Sequence, residues 1–167
     1  LFFKQNNFDL GISTGWQRLI PDTVLNTFKI GVFGWHGSGF EFPNGRGRSP
    51  LNWTIRLGLS RIFHNCFKYA AGADNGPVFE TKVIEILDSD QISDIQNKAF
   101  FHIADSAKRL VKQASENNLN LISQPEYPSI MLPALTKESG EIFPTIMTVR
   151  AIINLIRSCS RPFPGAF

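Results

Sequence analysis

The chain has 167 residues, of which 43% are hydrophobic and 19% are charged, and its formal net charge is +3. This length fits about one domain with a buried core, and the composition excludes a disordered chain. No apolar stretch approaches the roughly 20 residues of a membrane helix. The basic residues are scattered, so the sequence disfavours a nucleic-acid surface and leaves an anionic small molecule as a fitting partner.

The two cysteines, Cys66 and Cys159, lie far apart in the chain, and neither belongs to a C-x-x-C pair. That spacing disfavours a zinc or iron–sulfur site. Cys66 lies in an alternating apolar run, and Cys159 lies near the end of a helical pattern. We therefore expect two buried thiols, as in proteins of the reducing cytoplasm, and no metal centre.

The first predicted elements surround a glycine-rich stretch. Residues 8–14 have strand character, and residues 21–27 predict one or two helical turns because a proline opens them. Residues 29–35 are mostly apolar with little alternation, which is typical of a parallel strand covered on both faces. We expect this strand to end in a glycine-rich loop that presents His36 and Ser38, since strand ends often carry reactive groups.

A helix and two strands follow that loop. Ser49 and Pro50 predict the N-cap and first residue of a helix over residues 51–59. Alternating side chains then predict strands at residues 61–69 and 78–86, joined by a tight loop.

The remainder of the chain is predicted to be mainly helical. The longest helix covers residues 92–116, where an apolar stripe follows a capping box of Ser93 and Gln96. Residues 124–136 are rich in proline, which predicts an irregular segment. A last helix is predicted over residues 147–159.

Helices and strands roughly alternate, which predicts an α/β fold. No G-x-G-x-x-G follows a predicted strand, and the glycine pair around Arg46 lacks the G-K-[ST] ending of a phosphate loop. These absences disfavour a dehydrogenase and a P-loop enzyme.

Two residues are candidates for catalysis. His36 lies among glycines at the end of a predicted strand, and histidine is the usual general acid–base near neutral pH. Asp74 lies in the loop between the two later strands, which would bring it to the same edge of the sheet as His36. A carboxylate there orients an imidazole or stabilises its charge. His64 and His102 have no second ligand at suitable spacing, and we interpret both as structural.

Several motifs resemble those of the folate-dependent formyltransferases, which include methionyl-tRNA formyltransferase and the sugar-nucleotide N-formyltransferases. They occur in the same order along nearly the whole chain: Phe8-Asp-Leu-Gly-Ile, Ile20-Pro21, His36-x-Ser38, Pro43-x-x-Arg46-Gly47, Asp74-x-Gly76, Asn154-Leu-Ile-Arg157 and Arg161-Pro-Phe-Pro-Gly-Ala-Phe167. The resemblance implies a Rossmann-like, mostly parallel sheet flanked by helices. It also implies that residues 1–167 form a single domain equivalent to the C-terminal two-thirds of the family's catalytic domain, incomplete at its N-terminus.

The resemblance further implies transfer of a formyl group from 10-formyltetrahydrofolate to a primary amine in the cytoplasm. His36 and Asp74 would be catalytic, with the histidine supporting the oxyanion or moving a proton. The formyl donor would be contacted by Ser38, Arg46, Tyr69, Ala70, Ala71, Gly72 and Ala73, the last five through a backbone cradle for the pterin. The ending Pro-Gly-Ala-Phe favours an amino sugar nucleotide as the acceptor over tRNA, and no membrane partner is expected.

The sequence departs from the family pattern at two places. Family members carry an asparagine two residues before the histidine, whose amide helps to bind the formyl oxygen, and this chain has Gly34 there. The segment between Ser38 and Pro43 is also longer than usual. Either another donor replaces the amide, such as Ser38 or a backbone N–H, or the domain is catalytically impaired and binds folate or a partner.

Overall fold

The computed structural model describes residues 2–16 and 18–167. Its elements are α1 (Phe2–Gln5), β1 (Leu10–Ile12), α2 (Asp22–Leu25), β2 (Gly31–Ser38), β3 (Arg46–Gly47), α3 (Pro50–Arg56), β4 (Arg61–Lys68), β5 (Val78–Glu85), α4 (Ile92–Ser115), β6 (Met131–Leu132), a 3-10 turn (Glu138–Gly140) and α5 (Val149–Cys159). The α/β class and the positions of the longer elements agree with the sequence prediction.

The main sheet has four strands in the order β1-β2-β4-β5. β1 and β2 are parallel, as the apolar character of β2 predicts, whereas β2 pairs with β4 and β4 with β5 in antiparallel fashion. The described part of the sheet is therefore mixed, with fewer parallel pairs than expected. Strands β4 and β5 form a hairpin because the loop between them is too short for the crossover that a parallel pair requires.

Strand β2 is longer than predicted at its C-terminal end. Ladder pairing with β4 continues as far as Ser38 opposite Phe63, so His36 and Ser38 are strand residues and not loop residues. Glycine at position 37 makes this possible, because a Cβ there would lie 2.5 Å from the ring of His64. The strand holds His36 more rigidly than a loop would.

Helices α3 and α4 cover one face of the sheet around an apolar core that includes Ile55, Ile62 and Ile95. The capping box of α4 is formed by Gln91 and Asp94, two residues earlier than the predicted pair, because the helix begins at Ile92. No helix in the described ranges is long and apolar enough to cross a membrane.

Helix α3 begins at Pro50, as predicted, but the Ser49 side chain does not cap it. The Ser49 hydroxyl instead accepts a hydrogen bond from the backbone N–H of Leu135. Nearby, β3 pairs in parallel with β6, which lies inside the segment predicted to be irregular. These contacts fasten residues 124–135 over the loop that follows β2.

Candidate functional site

His36 lies near the C-terminal end of β2 with only 7% of its surface exposed. Its Nε2 is 2.7 Å from the carbonyl oxygen of Gly45, and its Nδ1 is 3.4 Å from Oδ2 of Asp74. Both partners are acceptors, so the single proton of the neutral ring is assigned to Nε2, whose contact is the shorter of the two. Nδ1 then carries the lone pair and has the longer, weaker contact.

Asp74 belongs to the loop after β4, which brings its carboxylate beside His36 of β2. Its backbone φ is +54°, a left-handed conformation that aspartate tolerates better than most residues. Oδ2 accepts a hydrogen bond of 3.1 Å from the backbone N–H of Gly47, and the Gln124 amide donates to the Asp74 carbonyl at 2.8 Å. The Gly47 contact thus holds the carboxylate and the Gln124 contact holds its backbone, so that Asp74 lies beside His36, where the sequence analysis expects it.

Arg46 and Gln124 connect the loop after β2 to the Asp74 loop. The guanidinium donates to the Gln124 side-chain oxygen from Nε at 3.2 Å and from Nη2 at 2.5 Å. Burial lowers the pKa of Arg46, whereas the charge of Asp74 acts in the opposite direction. Sequence reasoning missed Gln124, whose only signal is a polar residue at the start of the proline-rich segment.

An aromatic wall borders His36, and sequence reasoning missed it too. Phe42 stacks on the imidazole with the ring centroids 5.3 Å apart. Phe67 contacts Phe42 edge-on at 5.6 Å, and Tyr69 lies 5.3 Å beyond Phe67. The wall leaves the imidazole few polar neighbours besides Gly45 and Asp74.

The remaining predicted contact residues lie in two different settings. Ser38 is fully buried, and its hydroxyl accepts a hydrogen bond of 2.9 Å from the backbone N–H of Phe40. Ala70, Ala71 and Gly72 are exposed in the loop before Asp74. Within the described part of the chain, the peptide groups of residues 70–73 make no hydrogen bond, so their donors and acceptors are unused.

Tyr69 fills the space beside Gly34. A Cβ atom at position 34 would lie 2.1 Å from the Tyr69 hydroxyl oxygen and 2.4 Å from ring carbons. Among the described residues, the hydroxyl reaches Ser13 alone, at 3.5 Å, which is a long contact for an O–H donor. Burial raises the pKa of Tyr69, so the phenol keeps its proton.

His64 and His102 lie on the opposite face of the sheet from His36, in the core. Their Nδ1 atoms are 2.6 Å apart, and Nε2 of His102 is 3.1 Å from Glu80, which also pairs with Arg109. Burial, and then the neighbouring His102, lower the pKa of His64 to about 3. The pair joins β4 to α4, in agreement with a structural interpretation of both residues.

The arrangement around His36 suits a general base. The Gly45 carbonyl fixes the tautomer, Nδ1 presents a lone pair, and Asp74 stabilises the positive charge that the ring gains with a proton. The same ring can return that proton to a leaving group.

This fold is the formyltransferase fold. No family model matches the chain, but solved structures superpose on nearly all of it. A 4-N formyltransferase from Francisella tularensis has a TM-score of 0.79 at 20% identity, over 95% of this chain and 64% of that protein. HypX from Aquifex aeolicus, as a multiple variant, has a TM-score of 0.77 at 18% identity, over 95% of this chain and 27% of that protein.

A third neighbour is an N-formyltransferase from Helicobacter canadensis in complex with folinic acid and dTDP-3-aminofucose. Its TM-score is 0.71 at 16% identity, over 88% of this chain and 53% of that protein. The chain thus spans between about a quarter and two-thirds of the length of these proteins. The formyltransferase-like fold that the sequence motifs indicate is confirmed.

Proposed function

We propose that this chain transfers a formyl group from 10-formyltetrahydrofolate to a primary amine, with His36 and Asp74 as the catalytic pair. The observation that carries the proposal is the imidazole of His36, oriented by the Gly45 carbonyl and placed 3.4 Å from the Asp74 carboxylate on a formyltransferase fold. Fold alone does not define chemistry, so the proposal depends on this pair.

In this proposal, His36 carries out the proton transfers of the reaction. An amine that attacks a carbonyl carbon must lose a proton, and Nδ1 of His36 accepts it. The resulting imidazolium then has an N–H donor on both sides, one facing the Gly45 carbonyl and one facing the Asp74 carboxylate. Such a positioned base contributes about 10²- to 10⁴-fold to rate.

The loop of residues 70–73 suits a flat heteroaromatic ring. Its side chains are small, three of its residues are exposed, and its peptide groups have unused hydrogen-bonding capacity among the described residues. When bound, 10-formyltetrahydrofolate supplies the activated formyl group. We propose that Ala70, Ala71, Gly72 and Ala73 hold its pterin through their backbone, and that Tyr69 and Arg46 complete that side of the site. Ser38 is fully buried with its hydroxyl engaged by Phe40, so it would support the site without touching the ligand.

We propose an amino sugar nucleotide as the acceptor. The support is the complex of the Helicobacter canadensis neighbour with dTDP-3-aminofucose, together with the net charge of +3, which favours an anionic substrate. A methionyl-tRNA acceptor is the alternative, and the scattered basic residues argue against it.

The test is a formyl-transfer assay with 10-formyltetrahydrofolate and a panel of amines that includes dTDP-3-aminofucose and methionyl-tRNA. His36→Ala and Asp74→Asn should each lower kcat by at least about 100-fold. Asparagine is the better replacement at position 74 because it also tolerates a left-handed backbone and keeps an oxygen for the Gly47 N–H.

Asp88→Asn is the matched control, since it removes a carboxylate whose side chain is 85% exposed and paired only with Arg150 in the described contacts. It should leave the rate unchanged. Full activity of His36→Ala in a folded protein would contradict the proposed mechanism.

A second candidate is a domain that binds folate or a partner without catalysis, and Gly34 favours it because glycine offers no side-chain donor. Calorimetry with 5-formyltetrahydrofolate distinguishes the two. Binding without transfer to any amine of the panel would favour this second function.

A further inference from the structure

The side-chain space of Gly34 lies on the face of β2 that carries His36. Side chains two residues apart share a strand face and are separated by about 7 Å. The Tyr69 hydroxyl oxygen lies 2.1 Å from the position of a Cβ on Gly34, so the phenol occupies the place of a short side chain there. The hydroxyl of Tyr69 therefore lies where the side chain of residue 34 would otherwise be.

Two other side-chain donors on this face of the sheet, Ser38 and Asn65, already have partners among the described residues. The Ser38 hydroxyl interacts with the backbone of Phe40, on both its N–H and its carbonyl sides. Asn65, which pairs with His36 across the ladder, donates to the Phe63 carbonyl and accepts from Thr81.

Tyr69 differs from both of these residues. Its described contact, with Ser13 at 3.5 Å, is long enough to be exchanged for a ligand. Its ring packs against Phe67, so the hydroxyl is held in place without being engaged in a short hydrogen bond.

We propose that the Tyr69 hydroxyl donates a hydrogen bond to the formyl oxygen and stabilises the oxyanion that forms on it during transfer. This inference rests on the proposed function. Phenol is a suitable donor because the proton remains on Tyr69 at neutral pH, and its hydroxyl is in place before the reaction, so that no reorganisation is needed when the oxyanion forms.

The step is balanced without an oxidant or reductant. The amine lone pair forms a bond to the formyl carbon, and the carbonyl π pair moves onto oxygen, toward the Tyr69 O–H. His36 accepts the proton that the amine nitrogen loses. When the carbonyl re-forms, the bond from carbon to the donor nitrogen breaks, and that nitrogen leaves with the proton from His36.

Tyr69→Phe tests the proposal because it removes the hydroxyl and keeps the ring beside Gly34. It should lower kcat by about 100-fold, the cost of one lost oxyanion donor, while KM for the formyl donor changes by less than about 3-fold because the contact strengthens in the transition state. Tyr127→Phe is the matched control, since Tyr127 is 52% exposed and the chain has two tyrosines. It should leave kcat unchanged.

A spectroscopic measurement provides a readout that is independent of turnover. The Tyr127→Phe chain labelled with 3-fluorotyrosine carries one fluorine, at position 69. Its ¹⁹F signal should shift on addition of 10-formylfolate and shift less on addition of folate, which has the same ring system without the formyl group.

The outcomes separate the two proposals. A wild-type chain that transfers formyl, together with an equally active Tyr69→Phe variant, overturns the role of Tyr69 and leaves the proposed function intact. Identical ¹⁹F responses to the two folates also overturn that role. A wild-type chain that transfers formyl to no amine, and does not hydrolyse the donor, overturns both.

Discussion

Introducing asparagine at Gly34 should damage this protein, although it restores the residue that the related motif carries. A Cβ at position 34 would lie 2.1 Å from the Tyr69 hydroxyl and 2.4 Å from two ring carbons, well below any real contact distance. Gly34 lies in a regular strand and has no positive φ, so backbone strain plays no part. The whole effect of Gly34→Asn should therefore act through the displaced Tyr69 ring.

The expected loss of stability follows from the packing that the displaced Tyr69 ring gives up. Forcing atoms into a packed site costs about 1–3 kcal/mol, and moving a half-buried tyrosine into solvent costs about 2 kcal/mol of apolar burial. We expect Gly34→Asn to lower the free energy of unfolding by about 2 kcal/mol. It should also lower kcat, because the hydroxyl leaves its position together with the ring.

A double-mutant cycle in urea unfolding measures this effect. Tyr69→Ala vacates the space, so Gly34→Asn should cost at least about 1 kcal/mol less in the Tyr69→Ala background than in the wild type. Gly15→Asn is the matched control, because position 15 has open space and a left-handed φ that asparagine tolerates. It should change stability by less than about 0.5 kcal/mol. Additive effects of Gly34→Asn and Tyr69→Ala would refute the steric reasoning.

Two further predictions concern the support of the site and the core. Gln124→Ala removes the amide that donates to the carbonyls of Asp74 and Gly76, and it should lower stability by about 1–2 kcal/mol and reduce kcat, whereas Gln113→Ala on α4 should do neither. In the folded protein the pKa of His64 is lowered from 6.5 to about 3. As pH falls, His64 is therefore protonated in the unfolded chain at a higher pH than in the folded protein. Its share of stability is complete above pH 6.5 and should decline by about 1.4 kcal/mol per pH unit below it, and a flat stability profile between pH 6.5 and 4 would contradict this.

Much of the fold follows from local pattern. The apolar stripe of α4 and the alternation of β4 and β5 place these elements within about two residues of their observed bounds. The C-terminal end of β2 was harder to predict, since Gly34 and Gly37 interrupt the apolar run. Their small size serves ring packing by Tyr69 and His64, which are distant in sequence, so local pattern assigns His36 to a loop.

The pairing of His36 with Asp74 was predictable because both residues lie beside neighbouring strands. Gln124, Phe42 and the Gly45 carbonyl were not, because each acts through tertiary contacts that no spacing rule encodes. Every residue has a backbone carbonyl, so the contact of the Gly45 carbonyl with His36 cannot be inferred from residue type.

On the proposed mechanism, Tyr69 supplies the hydrogen-bond donor that the formyltransferase motif carries at position 34. The reaction would then require a donor at a given place, whichever position of the chain supplies it. Tyr69 reaches that place from β4's C-terminal end only because residue 34 has no side chain, so the glycine and the tyrosine depend on each other. The coupling measured between them therefore tests both the packing and the origin of the donor.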